Sequence, residues 1–154
     1  MILVTVGTEQ FPFNRLMSWI QISIEYGFIA EEVIVQYGSC TTVPTGVKSY
    51  SLIPPEQFHR LIKQARIIIG HCGEGTIFLL SVTAKPYILV PRSQKFNEHI
   101  DDHQIELAEA LSQFDVPIAW SPGDLVRFLA LPRRVPATFI SATNICKRLH
   151  DRFK

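Results

Sequence analysis

Short apolar runs alternate along the chain with longer segments in which apolar side chains recur every three or four residues. The short runs are rich in Ile and Val and predict buried strands, at residues 2–6, 32–38, 47–53, 66–70, 87–91 and 116–120. The longer segments have the periodicity of amphipathic helices, at residues 13–24, 54–65, 76–84, 101–114, 121–131 and 137–151. Pro12, Pro55 and Pro122 are placed for the first turns of three of these helices.

The order of these elements predicts the fold class. Strands that alternate with helices form an α/β domain with a doubly wound, mostly parallel, Rossmann-like sheet. The sequence contains no internal repeat, low-complexity segment or interdomain linker, so we expect one domain over residues 1–154. In such sheets ligands bind beyond the carboxyl ends of the strands. This rule selects three candidate segments, at residues 7–11, 70–76 and 91–104.

Composition and charge exclude several classes of protein. Hydrophobic residues make up 47% and charged residues 19% of the chain, as in globular proteins and unlike disordered ones. The net charge of +1 gives no field that favours nucleic acid. Cys40, Cys72 and Cys146 are far apart and odd in number, which indicates a reducing compartment and no zinc spacing. Because we find neither a signal peptide nor a membrane-spanning apolar stretch, we expect a cytoplasmic protein.

The first chemical candidate is the sequence GHCGEGT at residues 70–76. It joins a predicted strand to a predicted helix, where unpaired N–H groups and the helix dipole attract anions. His71 is placed to donate to a phosphate oxygen, and Thr76 adds a hydroxyl. Glu74 would repel phosphate, so it faces solvent, caps the helix or binds a hydroxyl group. The alternative is an ordinary β–α turn with a packed histidine, because the segment is neither a GxGxxG nor a Walker A motif.

The second candidate follows the strand at 87–91 and is dense in polar side chains. These are Arg92, Lys95, Glu98, His99, Asp101, Asp102, His103 and Gln104. Carboxylates, amides and imidazoles together suit a hydroxyl-rich ligand such as a sugar. The alternative is a solvated loop followed by a capped helix. Gly7 and Thr8, after the first strand, either complete the rim of the same site or form an ordinary turn.

These motifs together resemble a known family. The sequence HCGEGT…AKPYILVPR…NEHIDDHQIELAEAL resembles the carboxyl-terminal nucleotide-sugar domain of family 28 glycosyltransferases, and it is similar to their small single-domain branch. That branch includes bacterial polysaccharide-synthesis proteins and the catalytic subunit of the eukaryotic two-part transferase that adds the second GlcNAc to dolichol-diphosphate GlcNAc. The opening ILVTVGTEQFPFNRLM is similar to the start of those proteins, so the resemblance covers most of residues 1–112.

The resemblance implies one GT-B half-domain that binds a nucleoside-diphosphate sugar, usually UDP-linked. It implies that a diphosphate contacts His71, Gly73, Gly75 and Thr76, and that the donor sugar lies near His103 and Gln104. The remaining candidates for donor binding are Gly7, Thr8, Glu74, Arg92, Glu98 and His99. Relatives carry a glutamate for the ribose hydroxyls where this chain has Leu79, so either another group such as Glu74 serves the ribose or donor binding is altered.

The resemblance also implies a partner. A complete GT-B enzyme has two such domains, and 154 residues have room for one. We therefore expect a membrane-associated subunit that binds the acceptor, a peripheral position on the inner face of the membrane through that subunit, and an active site between two chains. A homo-oligomer stays open. We expect the UDP-sugar as donor substrate, no metal or other cofactor, and no nucleic acid. The catalytic base stays unassigned.

Three functional hypotheses remain at this point. The first is a subunit of a glycosyltransferase that transfers a sugar to a lipid-linked or polysaccharide-precursor acceptor. The second is a non-catalytic subunit that stabilises or enhances a partner transferase, which the substitution at Leu79 motivates. The third is a nucleotide-binding regulatory domain with no preference for uridine.

Overall fold

The computed structural model describes residues 1–135, so the predicted helix at 137–151 lies outside the described part of the chain. Strands and helices alternate along the described residues, as the hydrophobic pattern predicts. The strands are β1 (Ile2–Thr5), β2 (Val33–Gln36), β3 (Lys48–Tyr50), β4 (Ile67–His71) and β5 (Tyr87–Val90). The helices are α1 (Asn14–Glu25), α2 (Pro55–Gln64), α3 (Glu74–Ser81), α4 (His103–Ser112) and α5 (Pro122–Ala130).

All the strand pairs in the sheet are parallel, and the strand order is β3-β2-β1-β4-β5. The order reverses at β1, which pairs with β2 on one side and with β4 on the other. The carboxyl ends of β1 and β4 therefore meet at the topological switch point, where Thr5 lies opposite Gly70. This arrangement confirms the doubly wound, Rossmann-like fold class.

Alternate residues of the central strands face two separate cores. One core joins one face of the sheet to α1 and α5, with Ile20 and Leu125 fully buried in it. The other joins the opposite face to α2, α3 and α4, with Leu80 and Leu107 among its members. Because β1, β4 and β5 are buried on both faces, they are continuous apolar runs. Within residues 1–135, no helix is long and apolar enough to cross a membrane.

Several elements differ in their bounds from the sequence-based expectation: α4 begins at His103 and not at Asp101, and β3 is limited to Lys48–Tyr50. Three further differences are found elsewhere in the chain. The predicted strand at 116–120 is reduced to a single parallel bridge between Leu89 and Ile118. Pro12 lies before α1 and not in its first turn, because the helix begins at Asn14. Helix α3 begins at Glu74, two residues earlier than predicted, because the extended backbone of Gly73 already ends the turn. Residues 74–76 are therefore the first turn of a helix, which matters for the site.

Candidate functional site

The turn between β4 and α3 lies at the switch point, and the helix that follows begins without a side-chain cap from the described part of the chain. Gly73 precedes α3, and no side chain within residues 1–135 caps this end of the helix. By contrast, the Ser121 hydroxyl caps α5 by accepting from the Asp124 N–H. The first N–H groups of α3 are thus left for water or a ligand, at the positive end of the helix dipole.

His71 ends β4 and is buried directly behind this turn, with 4% of its surface exposed. Its Nδ1 atom lies 3.3 Å from Arg92 Nε and 3.2 Å from Gln104 Nε2, both of which are donors. Nδ1 is therefore the acceptor, and the ring proton lies on Nε2, which is 3.0 Å from the Thr76 hydroxyl oxygen. Burial, with a smaller contribution from the Arg92 charge, lowers the pKa of His71 to about 3. The imidazole is consequently neutral at physiological pH.

Two glycines enclose the His71 ring. A Cβ at Gly7 would collide with Nε2 of the ring, and a Cβ at Gly73 would lie 2.5 Å from its Cε1. Gly7 also has a φ of 72°, in the left-handed region that favours glycine. These two glycines are required by the histidine itself. Gly75 differs, because a Cβ there would meet nothing within 4 Å.

Arg92 binds several main-chain carbonyls behind the turn. It is fully buried, and its guanidinium donates to the carbonyls of Phe11 at 2.8 Å, Glu98 at 3.1 Å and Val6 at 2.6 Å, besides its contact with His71. Burial lowers the pKa of Arg92, while the carboxylates of Glu9 and Glu98 oppose this shift. Arg92 thereby fixes the segment after β1, the segment after β5 and the imidazole relative to one another.

Glu98 has a similar internal position. Its carboxylate is 2% exposed and accepts from Arg15 Nε at 3.0 Å, from Arg15 Nη2 at 2.9 Å and from the Ser93 N–H at 2.9 Å. The two bonds from Arg15 attach the loop after β5 to α1. We use the term buried network for His71, Arg92, Gln104 and the Arg15–Glu98 pair.

Two clefts lie in front of the buried network. The first cleft has a volume of about 330 Å³. Its lining residues are Thr5, Gly7, Thr8, Glu9, Gln36, Leu52, Ile53, Phe58, His71, Gly73, Glu74, Gly75, Thr76 and Leu79. The second cleft has a volume of about 300 Å³. It is lined by Glu9, Gly73, Glu74, Gly75, His99, His103, Gln104 and Leu107. The start of α3 and Glu9 line both clefts and form a shared wall.

Imidazole–carboxylate pairs surround the second cleft, and we call them the rim. His103 Nε2 lies 3.1 Å from Glu74 Oε1, and His99 Nδ1 lies 3.0 Å from Asp101 Oδ1. The pKa of Asp101 is lowered, mainly by the hydrogen bond it accepts from the His103 N–H and also by that from His99. The contact with His103 accounts for Glu74, whose acidic side chain was unexplained at the start of an anion-attracting helix.

Apart from the imidazoles of His99 and His103, the charged side chains that line the two clefts are carboxylates. Their lining includes the carboxylates of Glu9 and Glu74, and among the described residues it includes no Lys or Arg. The far end of the first cleft is apolar, with Leu52, Phe58 and Leu79. Within residues 1–135, no group of three or more His, Cys, Asp or Glu side chains is arranged to hold a metal ion.

Comparison with known proteins then decides the family. The model of the glycosyltransferase family 28 C-terminal domain matches residues 1–128. The chain belongs to this family. Its membership confirms the resemblance to this family. No curated protein matches the chain. The crystal structure of the glycosyltransferase SnogD from Streptomyces nogalater is similar to it over 84% of this chain and 43% of that chain, at 17% identity and a TM-score of 0.45. This chain therefore spans less than half of SnogD.

The structure of the family 28 domain brings the three predicted segments together at one edge of the sheet. The predicted residues that line a cleft are Gly7, Thr8, His71, Gly73, Glu74, Gly75, Thr76, His99, His103 and Gln104. Arg92 and Glu98 do not line either cleft, because their charged groups are saturated by protein partners behind the wall. In this structure they support the wall from behind, and their contact with a ligand stays a prediction.

Sequence reasoning missed several lining residues of the family 28 domain. Glu9 lies in the segment after β1 that the strand-end rule selected, so its position was accessible from the pattern. Thr5, Gln36 and Phe58 lie in segments whose apolar pattern predicts core positions, and no local signal places them beside the turn after β4.

Proposed function

We propose that this family 28 domain binds a UDP-sugar and, with a membrane-associated partner that holds the acceptor, transfers the sugar to a lipid-linked or polysaccharide-precursor acceptor. The observation that carries the proposal is the wall that the two clefts share. A UDP-sugar consists of a nucleoside, a diphosphate and a sugar in sequence. The first cleft, the shared wall and the second cleft offer three successive surfaces for these parts.

The chemistry of each surface supports this assignment. The wall is an uncapped helix start with a glycine at 75 that leaves room for close approach of a phosphate to the backbone. The apolar end of the first cleft suits a nucleobase. The imidazoles, amide and carboxylates of the second cleft suit sugar hydroxyls.

The proposed reaction is a displacement at the anomeric carbon of the donor sugar. The acceptor hydroxyl oxygen forms a bond to this carbon while the bond from the carbon to the diphosphate breaks, and UDP leaves. The hydroxyl proton passes to a base that we do not assign to this chain. Charge that develops on the departing diphosphate lies at the positive end of the α3 dipole, so the proposed mechanism uses no metal cofactor.

The partner belongs to the proposal because the chain resembles the single-domain branch, whose members work with a separate acceptor subunit. The same argument supports a peripheral position on the cytoplasmic face of the membrane, reached through the partner.

Calorimetry on the domain, alone and with its candidate partner, tests donor binding. UDP and UDP-sugars are titrated, with uridine as the control for the diphosphate, and amide chemical shifts at 71–76 are followed by NMR. We expect UDP to perturb these amides and uridine to leave them nearly unchanged. Sugar transfer by the complex is then measured for His71→Ala and Gln104→Ala, which we expect to be inactive, with Arg127→Ala on the far helix α5 as a control. Absence of transfer from every common UDP-sugar would overturn the enzymatic proposal.

A second candidate function is a non-catalytic subunit that stabilises or enhances a partner transferase. Leu79 in the first cleft and the two carboxylates on the wall favour it, because they weaken recognition of ribose and of diphosphate. In that case UDP perturbs no amide of residues 71–76, either in the chain alone or in its complex, and the partner shows transfer activity that His71→Ala does not reduce.

A further inference from the structure

A continuous series of hydrogen bonds runs from a buried cation to the surface of the first cleft. Arg92 Nε donates to Nδ1 of His71, Nε2 of His71 contacts the Thr76 hydroxyl, and Thr76 lines the cleft. From this series we propose that Arg92 is a positioning residue, which fixes His71 as the Nε2–H tautomer and thereby turns the Thr76 hydroxyl into a donor for a ligand anion. The inference rests on the proposed function only for the identity of the anion as the donor diphosphate.

The direction of the series follows from groups that cannot reverse their roles. A guanidinium has only donors, so Nδ1 of His71 must accept. Gln104 is oriented the same way, because its Oε1 accepts from the Arg92 N–H at 3.1 Å, which leaves its Nε2 to donate to the same Nδ1. Two donors on one ring nitrogen exclude the Nδ1–H tautomer.

The hydrogen bond between His71 and Thr76 determines whether the Thr76 hydroxyl can donate to a ligand in the cleft. The proton on Nε2 donates to the Thr76 oxygen at 3.0 Å, so the hydroxyl proton of Thr76 points elsewhere. Within residues 1–135 this hydroxyl makes no other hydrogen bond. Its free proton therefore donates to whatever occupies the cleft, and an anionic acceptor makes the strongest such bond.

The charges around the cleft indicate what this series of hydrogen bonds contributes to anion binding. Glu9 and Glu74 lie on the shared wall and repel an anion, while the described lining contributes no Lys or Arg. The Arg92 cation lies one imidazole behind the wall and opposes this repulsion. The imidazole between them is neutral, because burial lowers the pKa of His71 to about 3. The neutral ring links the guanidinium to the Thr76 hydroxyl through hydrogen bonds, and it adds no charge that would need a partner of its own.

The tautomer is tested in the unliganded protein by the imidazole ¹⁵N chemical shifts of His71. We expect wild type to be a single Nε2–H tautomer and Arg92→Lys to be a mixture, because one ammonium cannot satisfy all the acceptors that the guanidinium holds. Arg15→Lys is the matched control, since it changes the adjoining Arg15–Glu98 pair and touches neither His71 nor Thr76. An Nδ1–H tautomer in wild type overturns the inference even if Arg92→Lys does not fold. A single Nε2–H tautomer in folded Arg92→Lys overturns it as well.

The hydroxyl is tested by affinity for UDP and for inorganic pyrophosphate. Thr76→Val keeps the methyl group that lies against Gly70 and lacks the donor, whereas Thr76→Ser keeps the donor. We expect Thr76→Val to bind both anions roughly tenfold more weakly, and Thr76→Ser to stay within about threefold of wild type. Equal affinities of Thr76→Val and wild type overturn the inference. Pyrophosphate binding without preference for UDP would contradict the proposed function alone, whereas binding of neither anion by wild type would overturn both.

Discussion

Histidines occur in two different settings at the carboxyl edge of this sheet. His71 lies in the buried network, where its neighbours are a guanidinium and an amide and its exposed fraction is 4%. His103 lies on the rim, where its side chain is 34% exposed and its neighbour is the Glu74 carboxylate, itself 68% exposed. Both rings contact the first turn of α3, His71 through Thr76 and His103 through Glu74.

Burial explains why the partners differ. An imidazolium inside the protein would lose its hydration, so the interior ring is kept neutral and is held by donors. On the rim, water solvates both members of the imidazole–carboxylate pair, so the pair contributes little to the free energy of unfolding. We infer that the buried network fixes the shape of the wall, whereas the rim is free to exchange its contacts for those of a ligand.

The largest expected effect is on the pH dependence of the free energy of unfolding, through the buried ring of His71. The folded pKa of His71, about 3, lies below the ordinary value of 6.5, so the unfolded chain binds the extra proton between these two values. The stability contributed by the neutral ring is complete above pH 6.5 and is lost as the pH falls toward 3. The free energy of unfolding should thus decrease by up to about 1.4 kcal/mol per pH unit in this window.

Urea unfolding at pH 7.5, 6.5 and 5.5 measures this slope. His71→Gln keeps an acceptor and a donor but does not titrate, so its slope should be smaller than that of wild type by the amount due to the ring. Gly75→Ala, which changes no titratable group, serves as the control and should keep the wild-type slope. A His71→Gln slope equal to that of wild type would contradict the neutral, buried state of the ring.

Two glycines of the shared wall should respond in opposite ways. Gly73→Ala places a methyl group 2.5 Å from the His71 ring, so the buried network must shift, at a cost of about 1–3 kcal/mol in the free energy of unfolding. Gly75→Ala meets nothing within 4 Å and lies in a helix, so its stability should be unchanged or higher by up to about 1 kcal/mol. Under the proposed function, both should weaken UDP binding, because both positions line the two clefts.

Thermal unfolding measures the stability of the two variants, and calorimetry measures their UDP binding. Together they test whether the His71 ring, and not the ligand alone, requires glycine in the wall. If Gly75→Ala is destabilised as much as Gly73→Ala, the histidine does not set the wall.

The location of the site could be predicted from the sequence because parallel strands bring their carboxyl ends to one edge. The apolar runs at 2–6 and 66–70 therefore sufficed to bring Gly7 and His71 together, as the pairing of β1 with β4 confirms. The resemblance to family 28 is likewise confirmed by the match over residues 1–128. These features depend on local periodicity and on contiguous motifs.

The division between network and rim could not be predicted, because it depends on distant partners. Arg92 is buried among partners that are distant in sequence, such as the carbonyl of Val6, which is 86 residues away along the chain and accepts from its guanidinium. In the sequence, His71 follows a predicted strand and His103 lies near the start of a predicted helix, and both have polar or small neighbours. Nothing in these patterns distinguishes a buried ring from an exposed one. The two histidines differ in burial, and burial depends on how the helices pack against the sheet. The early start of α3 could not be predicted either, because helix propensity disfavours Gly75. The extended backbone of Gly73 nevertheless allows the helix to begin at Glu74.

The smallest effect on stability is expected on the rim, where His103→Ala removes an exposed pair. The free energy of unfolding should change by less than about 0.5 kcal/mol, because a solvated ion pair contributes little. Under the proposed function, the same variant should weaken binding of a UDP-sugar severalfold and leave binding of UDP nearly unchanged, since His103 lines the second cleft and not the first. Phe58→Ala, in the first cleft, is the matched opposite and should weaken UDP and the UDP-sugar equally. Calorimetry with both ligands on both variants therefore determines the orientation of the donor, and a His103→Ala variant that loses UDP and the UDP-sugar alike would place the nucleoside in the second cleft instead.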